Sequence, residues 1–146
     1  MHAPPGQLVV AINPIWKHTL NEFIQANGPE KCRKYGQWFA NRFKDNPRVI
    51  YFIGGNRTPE PVRAELDEMG KGIQDVYSGK AMIAYHSEAD QSSLEACPDA
   101  SWITLNWTHA YSPEMPGALK ESDTKTMMGR PGKHVHFTEA VKIWAF

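Results

Sequence analysis

Polar and aromatic side chains follow five apolar stretches of this sequence, and their types suit carbohydrate binding. The apolar stretches span residues 8–13, 49–54, 81–85, 102–107 and 134–139. The side chains at or just past their ends include Trp16, Asn56, Arg57, His86, Glu88, Asn106, Trp107, His109 and Glu139. An indole can stack on the apolar face of a sugar ring, while amide, imidazole and guanidinium groups form hydrogen bonds with hydroxyls. Each residue type is also common in polar loops, so it is their joint occurrence that predicts a site.

The apolar stretches predict parallel β-strands separated by helices. Residues 8–12, 49–53 and 102–107 are too continuously apolar for a sheet with one solvated face, and they suit strands covered on both faces. Ligands of such sheets bind at the carboxyl ends of the strands. The predicted architecture therefore gathers the polar side chains at one edge of the sheet.

Three helices are predicted between these strands. The first would begin at Pro29, and the second would begin at Thr58-Pro59 with an apolar stripe running from Val62 to Val76. A short third helix would be capped by Ser92 or Ser93. Two architectures hold five parallel strands: a doubly wound sheet, or part of a (β/α)8 barrel. The apolar pattern alone does not choose between them.

Composition predicts one domain over residues 1–146 with no electrostatic preference for nucleic acid. Sixteen basic residues balance sixteen acidic ones, so nothing favours nucleic acid or an anionic membrane as a partner. No apolar run approaches the roughly 20 residues of a transmembrane helix, and residues 1–6 lack the features of a signal peptide. Cys32 and Cys97 are not spaced as metal ligands, and a buried free thiol is the preferred interpretation of Cys32.

Glu139 shares a strand face with Val135 and Phe137, which predicts that its carboxylate points inward at the strand end. The alternative is a charged residue on the surface of a short strand. A metal site is the competing chemistry, because His134 and His136 place two imidazoles on one strand face. Strand parity puts both on the face opposite Glu139, which weakens that interpretation.

Two other kinds of site have little support. The sequence has no nucleophile elbow, and Gly54-Gly55 lacks the further residues of a dinucleotide fingerprint or a P-loop. We expect these glycines to permit a close backbone approach or a positive φ at the end of the second strand.

Several motifs occur together in an order that is typical of one family. They are "YGQWFANRFKDNPRVI" before and into the second strand, "GGNR" at its end, and "YHSEADQSS" after the third strand. On these motifs the chain resembles the apiosidase-like glycoside hydrolases, which form (β/α)8 barrels. The similarity covers about residues 7–113 and implies that the visible strands are the third to seventh of a partial barrel.

The resemblance implies retaining hydrolysis of a complex carbohydrate without a cofactor or metal. Glu139 would be the nucleophile. Asn56 would occupy the position of the acid/base carboxylate that many members carry as Asp, or Arg57 would do so on the Asn-Glu alignment of related barrel glycosidases. Glu88 and Asp90 would be the second candidates for a functional carboxylate. The other residues at the strand ends would bind sugar.

Three further expectations follow from the resemblance. An amide transfers protons poorly, so the alternative function is a carbohydrate-binding remnant without turnover. Members are commonly exported, although this chain shows no signal peptide. A partial barrel would also self-associate through its exposed sheet edges.

Overall fold

The structure, a computed structural model, describes residues 9–89 and 91–109, with the backbone alone for residues 17–20 and His109. Its elements are β1 (Val10–Ile12), α1 (Lys17–Asn41), β2 (Val49–Gly54), α2 (Arg63–Val76), β3 (Ile83–His86), β4 (Gln91–Ser92), α3 (Ser93–Ala96) and β5 (Thr108–His109). The predicted alternation of strands and helices is confirmed for this part of the chain.

The sheet that organises the molecule is parallel, as predicted. Its strand order is β1-β2-β3, with Val10 opposite Val49 and Tyr51 opposite Ile83. Five of the six residues of β2 are buried, in keeping with its continuously apolar sequence. The carboxyl ends of all three strands consequently lie at one edge.

The prediction of a fourth parallel strand at residues 102–107 is wrong. This segment runs beside β3, but the backbone N–H groups of Thr104 and Leu105 both donate to the same oxygen, that of Ile83. The Thr104 hydroxyl takes the place of a backbone partner, because Oγ1 accepts from Ile83 N–H at 2.9 Å and donates to Ala81 O at 2.7 Å. A regular ladder cannot continue past this point.

Two short strands, β4 before this segment and β5 after it, occur instead. β5 pairs with β4 in antiparallel orientation. The predicted fifth strand, 134–139, lies outside the described residues, and the expected count of five parallel strands is therefore not confirmed.

Two helix starts also differ from the predictions. α1 begins at Lys17 and continues through Pro29. Gly28, directly before the proline, has a φ of +70°, so the helix is locally irregular at this point and accommodates the proline ring. α2 begins at Arg63, five residues after Thr58. Residue Glu60 precedes Pro61, and a residue before proline is disfavoured in the helical region.

The core lies where α1 and α2 pack on the sheet. The predicted stripe of α2 is confirmed, since Val62, Leu66, Met69 and Ile73 are all buried in one apolar cluster. Arg33 of α1 bonds Asp75 and Glu68 of α2 at 3.0 and 2.9 Å, and its guanidinium lowers the pKa of the Asp75 carboxyl. Cys32 and Cys97 are free and buried, which confirms the interpretation of Cys32.

Close contact between the helices makes Gly36 sensitive to substitution. A Cβ atom at this position would lie 2.3 Å from the carbonyl oxygen of Met69. Gly36→Ala is therefore expected to destabilise the fold by about 1–3 kcal/mol, even though alanine normally favours a helix by up to about 1 kcal/mol. Urea denaturation measures the change. The exposed Gln25→Ala is the matched control on the same helix, and equal stability of the two variants would contradict this packing.

Candidate functional site

An aromatic cluster lies at the carboxyl edge of the sheet. The rings of Trp16 and His86 contact edge to face with centroids 5.5 Å apart, and those of Phe52 and Trp107 do so at 4.7 Å. His86 joins the two pairs, with centroids 6.4 Å from Phe52 and 6.5 Å from Trp107. The fold thus brings together Trp16, His86 and Trp107, which the sequence had placed after three separate stretches.

The two tryptophans differ in what they present. Trp16 is 44% exposed, so part of its indole surface is open to a ligand, whereas Trp107 is only 7% exposed. The buried Nε1 atom of Trp107 has no hydrogen-bond partner among the residues that the structure describes. Trp16 therefore presents an exposed indole surface, whereas the ring of Trp107 is packed against Phe52 and His86.

Gly54 permits the sharp turn that ends β2. Its φ is +122°, and a Cβ atom there would lie 2.8 Å from the carbonyl oxygen of His86. The backbone N–H groups of Gly55 and Asn56 both donate to that same oxygen at 3.2 Å. The glycines thus allow the close backbone approach and positive φ expected from the sequence, and they fix the turn against β3.

Asn56 follows these glycines in the left-handed region, with φ of +56°. Asn is one of the few residues besides glycine that adopt this conformation readily. Its side chain is half-buried. Asn56 consequently lies at the carboxyl edge, where its backbone N–H is bonded to the carbonyl oxygen of the β3 residue His86.

Arg57 is exposed, and its backbone is hydrogen-bonded to Tyr85. The Tyr85 hydroxyl donates to the Arg57 carbonyl oxygen at 2.8 Å. Burial raises the pKa of Tyr85, which keeps the phenol a neutral donor. The Arg57 side chain is thus presented to solvent from an anchored loop.

The side chain of Asn106 is hydrogen-bonded to the backbone of α3. It is 7% exposed, and its Oδ1 accepts a hydrogen bond from the backbone N–H of Leu94 at 3.2 Å in α3. The predicted cap of α3 is confirmed, since Ser92 Oγ accepts from Glu95 N–H and the Glu95 carboxylate accepts from Ser92 N–H. The Asn106 amide oxygen therefore has a structural partner within the fold.

Ser93 positions the segment that carries Trp107, a role that sequence reasoning missed. Its hydroxyl donates to Tyr85 O at 2.6 Å and lies 3.1 Å from the Trp107 N–H, which donates to it. Its own N–H donates to Trp107 O at 2.7 Å. Ser93 thereby joins β3 to the Trp107 segment. The sequence signalled only a helix cap at this position.

The remaining predicted site residues lie at the limits of the described chain. Glu88 follows β3 and is half-buried. His109 ends β5, whose backbone pairs with Gln91. Glu139 and Asp90 lie outside the described residues, as do His134 and His136 of the competing metal hypothesis. Within residues 9–89 and 91–109, no group of three potential metal ligands occurs.

No helix within the described ranges has the length and apolarity needed to cross a bilayer.

Comparison with known proteins gives a family and several solved structures of similar fold. The family model described as "Apiosidase-like, catalytic domain" matches residues 2–136. No curated protein sequence matches the chain.

The solved structures that are similar to the chain include two glycoside hydrolases. A glycoside hydrolase family 5 structure from Bacteroides vulgatus ATCC 8482 has a TM-score of 0.65 at 21% identity, over 82% of this chain and 28% of that one. A second structure, titled "Glycoside hydrolase", has a TM-score of 0.58 at 22% identity, over 69% of this chain and 22% of that one. The likeness concerns the barrel-like α/β fold, and the chain spans under a third of each structure's length.

Proposed function

The chain belongs to the apiosidase-like family of catalytic domains, and from this membership we propose that it binds and hydrolyses a complex carbohydrate at the carboxyl edge of its sheet. The observation that carries the proposal is the aromatic cluster, in which Trp16 contacts His86 and remains 44% exposed. Amphipathic sugar rings suit an aromatic surface bordered by hydrogen-bonding groups. Asn56, Arg57 and Glu88 supply such groups around this edge.

The proposed reaction is hydrolysis with retention of configuration. In such reactions one carboxyl group protonates the leaving oxygen, while a second, about 5–5.5 Å away, attacks the anomeric carbon. Glu139 is assigned the attacking role from the family resemblance. Asn56 occupies the position of the proton donor. Its amide can orient a sugar hydroxyl but transfers a proton poorly.

Glu88 is the second candidate for a proton donor. It follows His86 on the same strand end, which places it at the edge where Asn56 lies. His109 and Asn106 complete the proposed sugar-binding set.

A second function, carbohydrate binding without turnover, is favoured by Asn56 itself. An amide at this position preserves contact with sugar hydroxyls and removes the group that would drive departure of a poor leaving group. Binding and hydrolysis share the aromatic surface, so affinity measurements test both functions together, and turnover separates them.

Trp16→Ala is expected to weaken oligosaccharide binding about tenfold, because it removes the exposed face on which the sugar would stack. Isothermal titration calorimetry with a panel of plant-cell-wall oligosaccharides measures this change. Phe23→Ala is the matched control, since Phe23 is a more exposed aromatic residue on α1. An affinity for Trp16→Ala equal to that of the unmodified chain would exclude Trp16 from the site.

A further inference from the structure

Tyr85 lies on the face of β3 that points away from the aromatic cluster. Its side chain is fully buried in the apolar cluster that also contains Tyr51 and the α2 residue Leu66. The next side chain along the strand, His86, contacts Phe52 on the other face of the sheet. Successive side chains of a strand point to opposite faces. Tyr85 is therefore enclosed in the core and does not itself contact a sugar at the carboxyl edge.

The hydroxyl of Tyr85 nevertheless reaches the turn that carries Asn56. It donates to the carbonyl oxygen of Arg57 at 2.8 Å, across 28 residues of sequence. The Tyr85 ring lies against the start of this turn, because a Cβ atom on Gly54 would be 2.9 Å from its Cε2 atom. A side chain on the core face of the sheet thus holds a loop at its carboxyl edge.

Position 56 is held on both sides by β3. The N–H of Asn56 donates to the His86 carbonyl oxygen at 3.2 Å, and the carbonyl of the following residue, Arg57, accepts from Tyr85. Between these two contacts Asn56 adopts its left-handed conformation, with φ of +56°. A residue other than glycine keeps such a conformation when the surrounding structure supports it. The Tyr85 hydrogen bond therefore helps to set the direction of the side chain at position 56.

We propose that Tyr85 is a positioning residue for position 56: through the Arg57 carbonyl, its hydroxyl fixes the turn that presents the Asn56 side chain to a sugar hydroxyl. This inference rests on the proposed function, in which Asn56 contacts the sugar. Misplacing a group by about 1 Å can cost about a hundredfold in rate. Loss of the hydroxyl acts through the turn and not through the core, because phenylalanine fills the same apolar space.

Amide hydrogen exchange tests the hold on the turn without any sugar. Tyr85→Phe should speed exchange of the Gly55 and Asn56 amides about three- to tenfold, the loss expected for one hydrogen bond. If Tyr85→Phe does not fold by circular dichroism, 3-fluorotyrosine at position 85 serves instead. Its more acidic hydroxyl is a stronger donor and should slow the same exchange. Unchanged exchange in the folded variant would overturn the proposal.

Tyr51→Phe is the matched control for this measurement. Tyr51 is likewise buried, lies on the neighbouring strand β2, and shares a hydrogen bond of 2.8 Å with the hydroxyl of Tyr77. Its substitution removes the same kind of group from the same apolar cluster. Exchange of the Gly55 and Asn56 amides should stay at the rate of the unmodified chain.

A double-mutant cycle tests whether the turn matters to the sugar. Tyr85→Phe should weaken oligosaccharide binding at least about twofold in the unmodified chain, the smallest coupling usual for residues that act together. It should have no effect in Asn56→Gly, which already lacks the side chain that Tyr85 positions. A general structural role would weaken binding equally in both backgrounds, and that result would overturn the proposal.

The cycle also separates this inference from the proposed function. No binding by the unmodified chain, or equal binding by Asn56→Gly, would contradict the proposed sugar contact of Asn56 and with it the positioning role. Binding that depends on Asn56 but is unaffected by Tyr85→Phe would overturn the positioning role alone.

Discussion

Asn56→Asp is expected to raise the rate of hydrolysis of an alkyl glycoside by about 100- to 10,000-fold, the usual contribution of a general acid. Asn56 follows Gly54-Gly55 at the carboxyl edge, and its φ of +56° is one that Asp also adopts readily. The substitution therefore introduces a carboxyl group without altering the backbone requirement. Initial rates of sugar release from the alkyl glycoside measure the gain.

The leaving group provides an internal check on this interpretation. The dinitrophenolate of a 2,4-dinitrophenyl glycoside leaves without being protonated. Asn56→Asp should therefore accelerate the glycosylation step of this substrate far less than that of the alkyl glycoside. Asn56→Gly is the matched control, because it tolerates the positive φ and adds no acid. Equal rates for Asn56→Asp and Asn56→Gly on the alkyl substrate would show that position 56 does not face the leaving oxygen.

Glu139→Gln is expected to abolish turnover of even the activated 2,4-dinitrophenyl glycoside. The proposed nucleophile acts on every substrate, whatever its leaving group, and removing a nucleophile from other enzymes costs on the order of 10⁶ in rate. Burst and steady-state release of dinitrophenolate measure the loss. Substrate affinity should change little, since glutamine keeps the size and one oxygen of glutamate.

The control for this loss is Glu30→Gln, which makes the same chemical change at an exposed position on α1. It should turn over the activated substrate at the rate of the unmodified chain. If Glu139→Gln matches Glu30→Gln in rate, Glu139 is not the nucleophile and the carboxylate must be sought elsewhere, with Glu88 first.

The parallel strands and the α2 stripe could be predicted because apolar periodicity reflects burial directly. Residues 49–54 became β2 as expected, and Leu66, Met69 and Ile73 face the core. The 102–107 segment has the same apolar character, but the side chain of Thr104 replaces a backbone partner of β3. An apolar pattern indicates that a segment is buried, but it does not indicate that a side-chain hydroxyl will replace a backbone hydrogen-bond partner.

The site was predicted in part for a similar reason. Parallel topology places strand ends together, so Trp16, Asn56 and His86 could be assigned to one edge. Phe52 was missed because an aromatic residue inside an apolar strand reads as core, and Ser93 was missed because its two partners are distant in sequence. Trp107 was predicted to stack on sugar; its ring is 7% exposed within the cluster, and its contact with sugar stays a prediction.

The central claim is that carbohydrate binds at the aromatic edge, and indole N–H signals in the NMR spectrum test it most directly. Of the five tryptophans, Trp16 and Trp107 belong to the edge, Trp38 lies on α1, and Trp102 donates from its buried ring to Asp67 at 2.8 Å. The fifth, Trp144, lies outside the described residues. Single Trp→Phe variants assign the signals. When an oligosaccharide that binds is titrated into the protein, the Trp16 and Trp107 signals should shift, while the signals of Trp38 and Trp102 should not. Unchanged Trp16 and Trp107 signals at saturating oligosaccharide would contradict the claim.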